Sequence, residues 1–254
     1  MALNLKRVWY TVVLALFFSC NVSPSGNNAV LPKDSKKSVD RLTQAGIPVQ
    51  TDPNGHIRWI EAKNGEFNDK AMSYLPHLPS LEWLEIGKGE ISAKGLKHLK
   101  KCISLKRLYI HDTNLDGADF SWISSLTNLE ALALQNTNID GGVLKKINAV
   151  DTLKVLNLSG NRITDKDMVE ISRFKNLEVL SVADTQISGQ GIKALSGMAR
   201  LNELNIEKCS ISDMDLSYFI SMPNLRIVYA EGSGLNDMAV RDVIMRFPSL
   251  AIFR

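Results

Sequence analysis

Cysteine is scarce in this chain, with three in 254 residues, and three thiols cannot build a disulfide framework. A surplus of charge of one sign is also lacking. Thirty basic residues face 27 acidic ones, and Lys6 and Arg7 alone supply two of the net +3. A chain that holds a polyanion normally carries a basic excess or stripe, so no nucleic-acid partner is expected. Sixteen glycines and eight prolines make the chain neither fibrous nor low-complexity. No apolar run reaches the roughly 20 residues that a membrane-spanning helix needs. The motifs of common chemistry are missing too. There is no H-E-x-x-H, C-x-x-C, G-x-S-x-G elbow, P-loop or dinucleotide fingerprint. The four histidines, His56, His77, His98 and His111, show no metal-ligand spacing. No cofactor and no metal are expected, and an enzyme is the least expected class. What is present is 44% hydrophobic content, enough to bury a sizeable core.

The N-terminus reads as an address. Lys6 and Arg7 precede a 12-residue apolar run, residues 8–19, which fits the core of a secretory signal. The run ends at Phe17-Phe18-Ser19-Cys20. A small residue followed by Cys at that point resembles a bacterial lipoprotein signal, although Phe17 and Phe18 are bulkier than that family's usual residues. The resemblance implies cleavage after residue 19, lipidation of Cys20 and a membrane anchor facing the periplasm or the cell surface. Ordinary secretion and an uncleaved anchor are the alternatives. Residues 20–33 are rich in Ser, Asn, Gly and Pro and read as a flexible tether.

The rest is one pattern written eight times. Ile57, Leu81, Leu105, Leu129, Leu153, Leu177, Leu201 and Leu225 are each 24 residues apart. Three positions on stand Ile60, Leu84, Leu108, Leu132, Leu156, Leu180, Leu204 and Val228; two further on come Ala62, Ile86, Ile110, Leu134, Leu158, Val182, Ile206 and Ala230. A further apolar column begins at Phe67 and ends at Leu235. The last unit is expected to slip by one residue before Leu250 and Phe253. This L-x-x-L-x-L-x-x-[N/T]-x-I pattern resembles the leucine-rich repeat family, in its bacterial 24-residue, ribonuclease-inhibitor-like class. The resemblance covers about four-fifths of the chain. Asn161 holds the family's Asn position, Thr113, Thr137, Thr185, Cys209 and Ser233 replace it, and Gly65 and Gly89 leave the side-chain ladder incomplete at one end.

The alternation at the third and fifth offsets demands a strand, because strand side chains point to opposite faces. Eleven residues after each start comes Asn68, Ser92, Asp116, Asp140, Thr164, Ser188, Ser212 or Asn236, all good helix N-caps. Apolar residues then recur every three, as in Met168, Ile171 and Phe174, which is a helix face. The expected fold is an α/β leucine-rich-repeat solenoid, curved, with a parallel sheet on the concave face and helices on the convex face. Stacking of the units makes a continuous core. The end is closed by an N-terminal cap over residues 34–56, a helix and then a hairpin strand turned at Asp52-Pro53-Asn54-Gly55. Repeats fill 57–248, and residues 249–254 form a capping strand.

Little chemistry remains outside this frame. Cys102 and Cys209 lie five repeats apart, about 24 Å at ~4.8 Å per strand, against the ~7 Å that a disulfide spans. Gly87-Lys88-Gly89 is a lone glycine pair, and His111-Asp112 has no nucleophile in register. Asn157-Leu158-Ser159 matches a glycosylation sequon but falls on a strand. The variable offsets of the strands carry the information. At offset one, Arg58, Glu82, Lys106, Glu130, Lys154 and Glu178 alternate in sign and read as a solvated ladder. At offset two stand Trp59, Trp83 and Arg107, followed by Ala131, Val155, Val179, Glu203 and Ile227; at offset four stand Glu61, Glu85 and Tyr109.

Trp, Tyr and Arg are the residues enriched at binding hot spots. The candidate protein-binding set is therefore Trp59, Trp83, Arg107, Tyr109 and His111, with Glu61 and Glu85 as polar partners. Either these rings are exposed or the N-terminal cap folds over Trp59 and Trp83. The resemblance implies a monomeric, non-enzymatic module of the bacterial cell envelope that binds a protein partner through its concave face. Contact with carbohydrate or peptidoglycan, and a purely architectural role, are the alternatives.

Overall fold

The structure, a computed structural model, describes residues 33–149 and 151–254. The expected signal segment, Cys20 and all of the tether but residue 33 lie outside the described residues. Among the described residues, no helix is long and apolar enough to cross a membrane.

The described chain opens with helix α1 (Lys36–Gln44), which buries Leu42 and packs Val39 against the core. Strand β1 (Val49–Thr51) then turns back into β2 (Ile57–Ala62) as an antiparallel pair. The turn is held by Asp52, whose carboxylate accepts the backbone N–H of Asn54 at 2.9 Å and of His56 at 3.0 Å. The repeats add β3 (Trp83–Gly87), β4 (Arg107–His111), β5 (Ala131–Ala133), β6 (Val155–Asn157), β7 (Val179–Ser181), β8 (Glu203–Asn205), β9 (Ile227–Tyr229) and β10 (Ala251–Phe253). These ten strands form one sheet in chain order, parallel from β2 onward.

The 24-residue period is the strand register. Trp59 pairs with Trp83, Trp83 with Arg107, Arg107 with Ala131, and so on to Glu203 with Ile227. Every residue of the four apolar columns is buried. The expected slip of the last unit does not occur in the sheet. Ala251 pairs with Ile227 and Phe253 with Tyr229, again 24 apart. A strand shifted by one would turn all its side chains over. Here Ile252 enters the core and Phe253 lies on the opposite face, stacked on Tyr229 with centroids 5.5 Å apart. Leu250 closes the preceding turn.

The second layer carries helices α2 (Asp69–Met72), α3 (Ala93–Leu96), α4 (Asp165–Ile171), α5 (Gly189–Ala194), α6 (Leu216–Phe219) and α7 (Asp237–Arg246). Between α3 and α4 two units use only 3-10 turns, Ser121–Ser125 and Gly141–Lys146. Seven of the eight expected caps start their element. Asp116 does not. It is followed by Gly117 at φ +65°, a left-handed residue that interrupts a helical start, and the 3-10 turn begins later, after Phe120, where Asp119 accepts the Ser121 N–H at 2.9 Å. The Asn ladder forms as expected. Asn161 donates to the carbonyls of Leu134, Leu158 and Ser159, and its oxygen accepts the N–H of Thr137 and of Ile139 at 3.1 Å. Cys209 takes the same place with its thiol toward the Val182 carbonyl at 3.2 Å. The Ser233 hydroxyl is buried with no hydrogen-bond partner among the described residues.

Candidate functional site on the open face of the sheet

One face of the sheet packs on the helical layer. The other carries the second and fourth offsets. The parallel register sets Trp59, Trp83 and Arg107 side by side on β2, β3 and β4, with Glu61, Glu85 and Tyr109 in the next row. A ladder in step is what brings residues 24 apart to neighbouring strands.

Trp83 is the centre of the cluster. Its ring meets Tyr109 edge-on, with centroids 5.6 Å apart and planes at 82°. The Arg107 guanidinium lies 5.4 Å from the Trp83 ring centroid. Such a cation–π pair contributes roughly 0.5–2 kcal/mol, and the edge-on aromatic pair about 0.5–1.5 kcal/mol. Trp59, Trp83, Arg107 and Tyr109 are each half-buried. The Trp83 indole N–H and the Tyr109 hydroxyl are buried without a hydrogen-bond partner among the described residues. Burial also pushes the Tyr109 phenol well above its ordinary range.

The cap does not lie over these rings. Its strand β1 pairs beside β2, with Gln50 opposite Trp59, and extends the sheet in its own plane. The start of α1 ties to the helical layer, where the Ser35 N–H donates to the His77 carbonyl at 3.1 Å. The cap thus covers the end of the core, strand on strand and helix on helix. Of the two arrangements compatible with the sequence, the folded-over cap is set aside.

The acidic row is a charge network rather than two free carboxylates. Lys63 Nζ lies 2.5 Å from Glu61 and 3.5 Å from Glu85. The His111 ring is buried and reaches Asp112 at 2.9 Å through Nδ1 and Glu85 at 3.4 Å through Nε2. Burial works against a charged imidazole, but hydrogen bonds and charge from Glu85 and Asp112 outweigh it and hold its pKa above the ordinary value. Gly87 makes room for this ring. A Cβ there would run into the imidazole of His111 and sit 2.7 Å from the Lys63 carbonyl. The lone glycine pair therefore has a packing role. Lys63 was legible in principle, since it sits at the sixth offset, in register with Gly87 and His111.

The offset-one ladder is present in part. Glu82 joins Arg58 at 2.5 Å and Lys106 at 3.3 Å, and Lys154 joins Glu130 at 3.4 Å. These half-exposed pairs contribute a few tenths of a kcal/mol each.

Further along, the second offset becomes small and apolar at Ala131, Val155 and Val179, all buried. The fourth becomes polar and locally paired. Asn157 accepts the Ser159 N–H at 3.0 Å, Ser181 meets Ser159 at 2.6 Å, and Asn205 accepts the Glu207 N–H at 2.9 Å. Glu203 interrupts the apolar column. It is 2% exposed, and burial lifts its carboxyl to about 7. Among the described residues, no group of His, Cys, Asp and Glu is arranged to hold a metal ion. Cys102 and Cys209 are buried free thiols, and burial pushes Cys102 up to about 12.

The leucine-rich repeat family model matches residues 152–172 and 175–196. No curated protein matches the chain. Among solved structures, the fold is similar to a leucine-rich-repeat protein of Leptospira interrogans, at 19% identity and TM-score 0.52. That likeness covers 72% of this chain and 45% of the other, so this chain spans less than half of the Leptospira protein. It is also similar to an internalin C2 from Listeria monocytogenes, at 19% identity and TM-score 0.57, over 89% of this chain and 99% of that one.

Proposed function

We propose that this chain, whose fold is like that of leucine-rich-repeat proteins, is a non-enzymatic protein-binding module held at a bacterial envelope by a lipid on Cys20. The partner docks on the β2–β4 end of this sheet face, with Trp83 and Arg107 at the centre of the contact and Trp59 and Tyr109 beside them. One observation carries this reading. Four residues of the types that dominate interface energetics stand, half-buried, on three adjacent strands, with the cation stacked on the indole and the phenol edge-on to it. Glu61 and Lys63, both part-exposed, form a charged border that sets orientation more than affinity, with Glu85 and His111 buried beneath it. The protein reading is preferred over carbohydrate because both carboxylates already pair with Lys63.

Crosslinking in intact cells, followed by affinity measurement with the captured protein, tests it. Trp83→Ala and Arg107→Ala are each expected to weaken binding by about 2 kcal/mol, roughly 30-fold, as hot-spot truncations do. Unchanged affinity in both would overturn the assignment. Cys20→Ala is expected to move the protein from the membrane fraction to the soluble one, and retention in membranes would remove the anchor from the proposal.

A further inference from the structure

The helical layer, on the side of the molecule away from the tryptophans, is unevenly charged. Residues 93–101 comprise α3 and the 3-10 turn Lys97–Lys101 that continues it. They carry Lys94, Lys97, Lys100 and Lys101 and no acid. Lys70 stands one repeat earlier at the position of Lys94. Helix α1 brings Arg41 beside Lys70, with Lys37 one turn back along the helix. All of these cations are exposed, and none forms an ion pair among the described residues. Arg41 and Lys70, with Gln44, Asn68 and Tyr74, line an open depression between α1 and α2, and no acid lines it. Of the nearby acids, Asp40 lies outside the depression, Asp34 accepts the Ile57 N–H, and Asp69 accepts the N–H and hydroxyl of Ser92. From α4 onward the acids return. Helix α4 has Asp165, Asp167 and Glu170 against Lys166, and residues 213–219 carry Asp213 and Asp215 and no cation. The small net charge of the whole chain conceals this division.

Cations gathered without counter-charges repel one another, and an anionic surface relieves that repulsion. These cations lie on the outer side of three successive helical segments rather than in one cleft, which suits a broad surface. A bilayer with anionic headgroups is such a surface, and each Lys or Arg held against it raises partitioning by about fivefold. The chain also enters the fold at this end. Residue 33 is 13 positions past Cys20, a reach of at most roughly 45 Å. We propose that the outer face of α1, α2 and α3 is a membrane-surface contact for anionic phospholipid headgroups, with a headgroup phosphate seated between Arg41 and Lys70. This adds a second contact to the lipid anchor and rests on the anchor only for bringing the face near a bilayer. Held this way, the first repeats turn their sheet face, with Trp83 and Arg107, away from the lipid.

The full chain with Cys20→Ala, which carries no lipid, is titrated with two kinds of vesicle to test this. One holds about one-third phosphatidylglycerol in phosphatidylcholine, and the other is phosphatidylcholine alone. Binding is expected to be tighter to the anionic vesicles and to fall as salt rises. Arg41→Gln with Lys70→Gln is expected to weaken it roughly 20-fold, and Lys94→Gln with Lys97→Gln by a similar factor. Lys145→Gln with Lys193→Gln removes the same charge from exposed positions in later units and is expected to change it by less than about twofold. Each variant is checked for folding by its thermal transition. Equal weakening by all three pairs overturns the proposal. So does equal binding to both kinds of vesicle, as the apolar run 8–19 alone would give. A short single-stranded DNA bound as tightly as the vesicles, and weakened by the same substitutions, would assign the patch to nucleic acid and overturn it as well. Because the probe chain has no lipid, the outcome is independent of whether Cys20 anchors the protein.

Discussion

At the scale of single residues, a few polar side chains decide how neighbouring repeats are joined. Asn161 makes bonds to two repeats at once, satisfying the N–H of Thr137 and Ile139 and the carbonyl of Leu134 across the junction. It is buried, so its removal leaves several groups without water or partner. Asn161→Ala is expected to cost about 2–4 kcal/mol, read from the urea midpoint. Glu203 has the opposite sign. Its folded carboxyl titrates near 7, above its ordinary value of 4.5. Below pH 4.5 the group is neutral folded and unfolded, and burial carries no charge penalty. As pH rises toward 7 the unfolded chain ionises first, so stability is lost across that window and stays lost above it. Glu203→Gln is therefore expected to be more stable than the native chain by about 1–3 kcal/mol at pH 8.5 and close to it at pH 4. Equal gains at both pH values would show that the carboxyl is not held neutral.

At the scale of elements, the second layer is registered by aspartates at two positions. Asp69 and Asp165, at the first residue of α2 and α4, reach across to the next repeat and accept the backbone N–H and hydroxyl of Ser92 and Ser188. In those next repeats, Gly95 and Gly191 leave room for the carboxylate. A second aspartate position lies two residues later, in the same helix for Asp167. Asp167 and Asp215 bond back to the N–H of Thr164 and Ser212, and the glycine moves to the preceding repeat as Gly141 and Gly189. A Cβ on Gly189 would overlap the Asp215 carboxylate, which its own cap holds in place. Gly189→Ala is expected to destabilise by about 1–3 kcal/mol, although alanine is the better helix former. In an Asp215→Ala background the same change is expected to be neutral or stabilising. A double-mutant cycle with no coupling would refute this registry.

The turn after each strand shows a related economy. Lys88, Asp112, Asn136, Gly160, Asp184, Lys208 and Gly232, at the seventh offset of every repeat after the first, all adopt positive φ. Only two of them are glycine, so composition alone conceals a conserved geometry within the chain. Asn and Asp tolerate that region, whereas lysine adopts it at some cost.

At the scale of the whole molecule, each repeat touches chiefly the repeats beside it, so cohesion runs along one dimension. Leu156 lies in the middle of that line and is fully buried. Leu156→Ala is expected to cost about 2–5 kcal/mol and to split a single denaturant transition into two, as the halves lose their coupling. A single transition of unchanged slope would show that cooperativity spans the lesion.

The repeat, the core columns, the strand register through β9 and most caps were legible because they are local and periodic. A side-chain period of two and a step of 24 leave one arrangement that buries every apolar column. The face that carries Trp59, Trp83, Arg107 and Tyr109 followed from the same arithmetic. Other features depended on contacts between distant groups, which no spacing encodes. The cap extends the sheet instead of covering the tryptophans because β1 pairs with the free edge of β2. Glu61 and Glu85 are joined through Lys63, and His111 fits only where Gly87 has no side chain. Asp116 lost its cap role to a left-handed glycine. Ile252 rather than Phe253 faces the core because parallel pairing to β9 sets the last strand's orientation. The chain's own periodicity determined the solenoid; tertiary packing decided which of its polar side chains are satisfied within the fold, because those contacts join groups that no spacing relates.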